Sequence, residues 1–252
     1  MKKLYVAIFA TFFLICSSAS AEQPTLVVAH TPDYQPLNFM RDGELVGIEA
    51  DNARELAMLL GMKLERRVMP FAELLKALDA GEVDIVMAGV SVTNERRERL
   101  LFTDPFMRVG QMAIILADSA ASFGHPRAMY RAGVRIGVEP NTTGHRFVEN
   151  RLPDASLQFY ADPDAAFQAL REHKVDLYIH DAPTSWRLAS DRDNQDMLGL
   201  FRALTEEQLA WAVRKDNTLL AARVNAALAQ LQSTGTIRAI QNYWIPVTVQ
   251  LR

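Results

Sequence analysis

From residue 26 onward, short apolar runs alternate with helical stripes of apolar side chains. Leu26 to Ala29 reads as a first strand, followed by a proline-rich loop from Pro32 to Pro36. Ala53, Leu56, Ala57 and Leu60 recur at the spacing that places side chains on one helix face, and Gly61 ends that stripe. Leu64 to Val68 predicts a second strand, and Phe71, Leu74, Leu75 and Leu78 a second helix, closed by Gly81. Val83 to Val86 is a third strand, running into Ala88-Gly89-Val90-Ser91.

Beyond Phe106, strands are predicted at Met112 to Leu116, Val134 to Val138, Leu157 to Tyr160, Val175 to Ile179 and Leu209 to Val213. Ala165, Ala166, Ala169 and Leu170 form one helical stripe. Leu220, Val224, Ala227, Leu228 and Leu231 form a longer one that stops at Gly235. Strand-helix alternation on this scale predicts an α/β protein with parallel strands joined by crossover helices. The pattern is compatible with one sheet or two.

The first residues follow a different logic. Lys2 and Lys3 precede an apolar run from Leu4 to Ile15, and Ala19-Ser20-Ala21 has the small residues of a cleavage site. Residues 1–21 therefore read as an export signal, cleaved near Ala21, and the run is short for a membrane span. Taking Lys2 and Lys3 from 27 basic residues leaves 25 against 30 acidic ones, a net charge of −5. That balance argues against nucleic acid as a partner.

Cys16, the single cysteine, falls in the leader, so the exported chain can form no disulfide and has no thiol nucleophile. Burial must hold the fold. His30, His125, His145, His173 and His180 lack metal-ligand spacing, and neither a phosphate-loop glycine pattern nor a G-x-S-x-G elbow occurs. No metal, cofactor or catalytic residue is expected.

The segment from Asp84 to Phe106, DIVMAGVSVTNERRERLLFTDPF, resembles the signature of extracellular solute-binding proteins of the polar amino acid class, family 3. Tyr34-Gln35-Pro36 with Gly43 to Asp51, Thr142-Thr143-Gly144 after Ile136-Gly137-Val138, and Ala212 to Asp216 leading toward Tyr243-Trp244 are similar to further parts of that family, in order. The resemblance implies a two-lobed periplasmic binding protein of type II, each lobe a mostly parallel sheet flanked by helices, joined by two hinge segments. The crossings would fall near Phe106 to Gly110 and Thr205 to Leu209. Lobe 1 would comprise residues 22–108 and 207–252, and lobe 2 residues 109–206. Such a monomer captures an amino acid or close analogue in the cleft, closes by hinge motion and delivers it to a membrane ABC permease.

The same resemblance assigns roles. By pattern alone, Glu95 to Arg99 is a solvated charge run; the resemblance singles out Arg96 as the group that grips the ligand carboxylate, with Ser91 beside it. A guanidinium can hold a carboxylate through two parallel charge-assisted hydrogen bonds. Gly89 would offer its carbonyl to the ligand ammonium and Asp181 its carboxylate, although Asp181 also suits the cap of a following helix. Tyr34 and Phe71 would flank the ligand, Phe71 being equally at home in its own helix stripe. Thr142 and Thr143 would contribute from lobe 2, after an Asn141 where a glycine is more usual. His180 belongs to the ligand shell or to the core. Thr31 stands where an acid would reach a basic side chain, which counts against a strongly basic ligand. Two alternatives share the fold: a cyclohexadienyl dehydratase acting on prephenate or arogenate, for which Thr184 replaces the expected acid, and a stand-alone sensory protein.

Overall fold

A computed structural model describes residues 23–188, 191–200 and 202–245. The leader with Cys16, and residues 246–252, lie outside the described residues. Two five-stranded sheets form the molecule. In the first, Lys63–Val68, Thr25–His30 and Ile85–Val86 run parallel; Ala212–Arg214 and Leu100–Phe102 complete it, Ala212–Arg214 antiparallel to both its neighbours. In the second, Ser156–Phe159, Arg135–Val138 and Leu177–Asp181 run parallel. Gln111–Leu116 pairs antiparallel with Leu177–Asp181 and with Met197–Gly199.

The sheets are thus mixed, more so than the strand-helix alternation predicts, and the cause is connectivity. Gln111–Leu116 and Ala212–Arg214 are the strands entered directly after the chain has crossed from the other sheet, so each runs against the crossover-connected strands. The register fixes the consequence. Gln111 stands opposite Asp181, and Ala212 opposite Val86, so the carboxyl ends of the parallel strands in both lobes face the crossings. Ligands of α/β proteins bind at such ends.

Helices cover both faces of each sheet. Ile48–Leu60 and Thr218–Ser233 bury Leu56, Val224 and Leu228 against Leu26, Val28 and Ile85, while Phe71–Asp79 packs Leu74 and Leu78 against Ala29 and Val86. In the second lobe Thr143–Arg151 brings Phe147 and Val148 onto Ile136 and Ile179, and Pro163–Arg171 brings Phe167 and Leu170 onto Ile114 and Tyr178. Each fully buried Leu, Ile or Val contributes roughly 1.5–3 kcal/mol.

Two of the differences from the periodicity reading bear on the cleft. The proline-rich loop contains a short strand, Asp33–Tyr34, the first of a three-stranded meander with Asn38–Arg41 and Glu44–Val46. The run Leu209 to Val213 is two strands, Glu207–Leu209 and Ala212–Arg214. Between them the backbone changes partners, Ala210 N–H donating to the Val90 carbonyl and Trp211 N–H to Thr103 Oγ1. Apolarity continues through the switch because Leu209, Trp211 and Val213 all enter the same core.

Met107–Val109 and Glu207–Leu209, the two crossing strands, pair antiparallel. Beside them a Cβ on Gly110 would sit 2.0 Å from the Thr205 carbonyl oxygen, so only glycine lets the two passes approach this closely. Gly110→Ala is therefore expected to destabilise the protein by about 1–3 kcal/mol through overpacking. Scanning calorimetry should show a melting temperature several degrees lower, and an unchanged one would contradict this packing.

Candidate functional site

A cleft lies where the two sets of strand ends meet. All nine residues singled out from the sequence line it: Tyr34, Phe71, Gly89, Ser91 and Arg96 from the first lobe, Thr142, Thr143, His180 and Asp181 from the second. Thr31, Asp33, Gln111, Glu139 and Ile179 complete the lining.

Arg96 owes its position to a cap. Thr93 Oγ1 accepts the Arg96 N–H at 3.1 Å, starting the helix Asn94–Arg99 so that the Arg96 side chain turns into the cleft while Arg97 and Arg99 stay exposed. Its guanidinium donates to the Ser91 carbonyl at 2.8 Å and, from the other lobe, to the Asn141 carbonyl at 3.2 Å. It also lies over the Phe71 ring at 5.8 Å. Burial pulls its pKa down, Asp181 and Glu207 oppose the shift, and a guanidinium stays charged throughout. Asn141 holds a φ of 64°, a left-handed value asparagine tolerates.

Gly89 sits at φ 66°, and its N–H donates to Glu49 Oε1 at 3.0 Å. A Cβ there would be 2.5 Å from the Tyr34 ring. Glu49 is fully buried and also accepts Trp211 Nε1–H at 2.8 Å, so it ties the Gly89 loop to the segment that follows the second crossing. Burial pushes its carboxyl up to about 7, against the pull of these two donors.

Asp181 ends its strand at the cleft. It accepts Tyr34 Oη–H at 2.5 Å from the opposite lobe and Gln111 Nε2–H from the neighbouring strand. Burial raises its pKa to about 6, the Glu207 charge adding to the shift and His180 and the two donors holding it back. His180 Nε2 lies 3.0 Å from Glu139 Oε1, and its Nδ1 is 2.9 Å from Thr184 Oγ1. Burial lowers the pKa of His180, but the Glu139 charge and hydrogen bond outweigh it, leaving a net upward shift. His180 thus lines the cleft while both ring nitrogens face a buried network of Glu139 and Thr184.

The remaining residues divide. Thr142 spends its hydroxyl capping the helix Thr143–Arg151, accepting His145 N–H at 3.1 Å and donating to the Glu139 carbonyl at 2.7 Å. Thr143 Oγ1–H donates to Glu207 at 2.8 Å. Thr31, where an acid was missing, donates to Asp33 at 2.5 Å, so a carboxylate lines that corner from two residues further on. Burial, with the charge of Glu139 and Asp162 adding to it, raises the Asp33 pKa.

Sequence reading passed over Asp33, Gln111, Glu139 and Glu207. Glu139 follows the end of the strand Arg135–Val138, so the strand-end rule could have found it. Glu207 carried no local signal, because its side chain matters only once two crossings are paired.

Comparison with known proteins agrees with this geometry. The family of bacterial extracellular solute-binding proteins, family 3, matches residues 26–247. The L-cystine-binding protein TcyJ of Escherichia coli (strain K12) is 26% identical over 229 residues, covering 90% of this chain and 85% of that protein. ABC transporter arginine-binding protein 1 of the same organism is 26% identical over 253 residues, 98% of this chain and 100% of that protein. Cyclohexadienyl dehydratase of Pseudomonas aeruginosa is 31% identical over 162 residues, 64% of this chain and 60% of that enzyme. Among solved structures, the ancestral amino acid-binding protein AncCDT-1, a precursor of cyclohexadienyl dehydratase, superposes with a TM-score of 0.81 at 29% identity, covering 88% of this chain and 95% of that one.

Tyr34→Phe removes a donor from a buried carboxylate. A hydrogen bond to a charged group is worth about 1.5–3 kcal/mol, so the Asp181 midpoint should rise from about 6 by about one pH unit or more. A carbon-detected NMR titration of the Asp181 carboxyl measures it; a midpoint that stays put or falls would contradict the contact.

Proposed function

Because the chain belongs to the bacterial extracellular solute-binding proteins, family 3, we propose that it captures an amino acid or close analogue in the interlobe cleft and delivers it to the membrane permease of an ABC transporter. In this reading it is exported to the periplasm with cleavage near Ala21 and works as a monomer. Residues 22–108 and 207–252 form lobe 1, residues 109–206 form lobe 2, and the paired crossings act as the hinge.

One observation carries this reading: a guanidinium from one lobe and a carboxylate from the other, Arg96 and Asp181, line the same enclosed cleft. A zwitterion satisfies both at once. Arg96 takes the ligand carboxylate with the backbone amides of the Ser91 and Thr143 segments, and Asp181 with the Gly89 carbonyl takes the ammonium. Tyr34 and Phe71 flank the aliphatic part. Buried opposite charges need formal partners, which gives the cleft its specificity for a dipolar ligand. No described helix is long and apolar enough to cross a membrane.

A dehydratase reading is favoured by one relative. Against it stands Thr184, buried with its hydroxyl turned to His180 rather than presenting an acid to the cleft. Binding without turnover is the function we put forward.

Titration calorimetry against the proteinogenic amino acids, cystine and prephenate tests it. Arg96→Ala should weaken binding of the best of these by about 2–5 kcal/mol; undiminished affinity would remove Arg96 from the site, and product formed from prephenate would move the protein to the enzyme class.

Affinity should also depend on pH. An ammonium beside Asp181 lowers a carboxyl that stands at about 6 without it, so the complex holds fewer protons than the free protein. Affinity is therefore full above that value and falls by up to about tenfold per unit as pH drops below it. A flat profile down to strongly acidic pH would contradict the Asp181 assignment.

A further inference from the structure

Glu207 opens the second crossing strand and reaches toward the cleft from behind its polar wall. Its Oε2 accepts Ser91 Oγ–H at 2.5 Å from the first lobe and Thr143 Oγ1–H at 2.8 Å from the second. Its Oε1 accepts Thr205 Oγ1–H at 2.7 Å. The backbone around it is equally constrained: Val92 N–H donates to the Gln208 carbonyl at 2.8 Å, and Ser91 bridges to Leu209. The carboxylate is therefore held in place by the strand that carries it.

A hydroxyl has a single proton. With those protons spent on Glu207, Ser91 Oγ and Thr143 Oγ1 turn only lone pairs elsewhere, and Thr143 Oγ1 already uses one to accept Gln111 Nε2–H at 3.0 Å. Without Glu207, the same two hydroxyls could donate to a ligand carboxylate. With it they cannot, and a fixed negative charge stands behind them.

We propose that Glu207 is a positioning residue that sets the polarity of the Ser91 and Thr143 hydroxyls, making this wall of the cleft select ligands that present a cationic donor, an ammonium, and reject carboxylic acids lacking one. The ligand's carboxylate is then left to Arg96 and to backbone N–H groups. This rests on the amino-acid-capture reading and assigns the ammonium end of that site a control residue outside the cleft lining.

The probes are matched pairs differing only in the α-amino group: L-arginine and guanidinovalerate, L-histidine and imidazolepropionate, L-glutamine and glutaramate, L-cystine and dithiodipropionate. Calorimetry on the full exported chain compares the parent with Glu207→Gln, which removes the charge at nearly constant shape, and Glu207→Asp, which keeps it. For whichever pair the parent binds, Glu207→Gln should weaken the amino acid about tenfold or more, the scale of a hydrogen bond to a charged group, and the des-amino partner by less than about threefold. Glu207→Asp should restore part of the discrimination, and thermal melts identify a variant that fails to fold, in which case the aspartate variant alone decides by its amino to des-amino ratio. Equal loss on both members of a pair, or unchanged discrimination, overturns the inference while leaving amino-acid capture standing. A parent that binds neither any proteinogenic amino acid nor cystine overturns both.

Discussion

The arrangement depends on two backbone strands that pass between the lobes side by side. Met107–Val109 and Glu207–Leu209 are hydrogen-bonded to each other, and each feeds the antiparallel fourth strand of one sheet. That pairing aims the carboxyl ends of the parallel strands of both lobes at a common cleft. It also brings Ser91 within hydrogen-bond reach of Glu207, and Gln111 of Thr205, pairs distant in sequence. Gly110 permits it, since any side chain there would collide with the neighbouring pass.

Within the cleft, electrostatics follows from burial. Asp33, Glu139 and Asp181 line it and Glu207 lies directly behind, against Arg96 and His180 as the basic groups of the lining. Desolvation pushes Asp181 and Asp33 upward because a carboxylate loses more hydration than the local donors return. Glu139 Oε1 meets both His180 Nε2 and Tyr178 Oη–H. Under the proposed amino-acid capture, the acidic wall would receive the ligand's positive charge and Arg96 its carboxylate. Glu49 extends the coupling, linking the Gly89 loop to Trp211 beyond the second crossing.

Much of the fold was legible in the chain. The stripes from Ala53 to Leu60 and from Leu220 to Leu231 became helices with those faces inward, and the apolar runs at Leu26, Met112, Val134 and Val175 became strands, because burial on both sheet faces demands nearly continuous apolarity. What the pattern missed were elements whose pairing is decided elsewhere. Asp33–Tyr34 is a strand because Asn38–Arg41 folds back on it, and Leu209 to Val213 splits because successive residues find different partners. Neither event leaves a trace in hydrophobic period.

The site divides along the same line. Arg96, Ser91, Gly89 and Asp181 were named by the family resemblance of one segment each, a cap or a strand end then holds them in place locally, and all of them reach the cleft. Gln111, Glu139 and Glu207 could not, because what each does depends on which side chain another segment sets against it: Thr143 and Asp181 for Gln111, His180 for Glu139, Ser91 and Thr143 for Glu207. Composition and periodicity determined an α/β chain held together by burial, and the family resemblance, not the pattern, picked out Arg96 and Asp181 for a polar ligand. Only the tertiary structure decided which way the hydroxyls point and how many carboxylates share the cleft. Hydrogen bonds act over a few ångströms in space, and sequence separation carries no information about that distance.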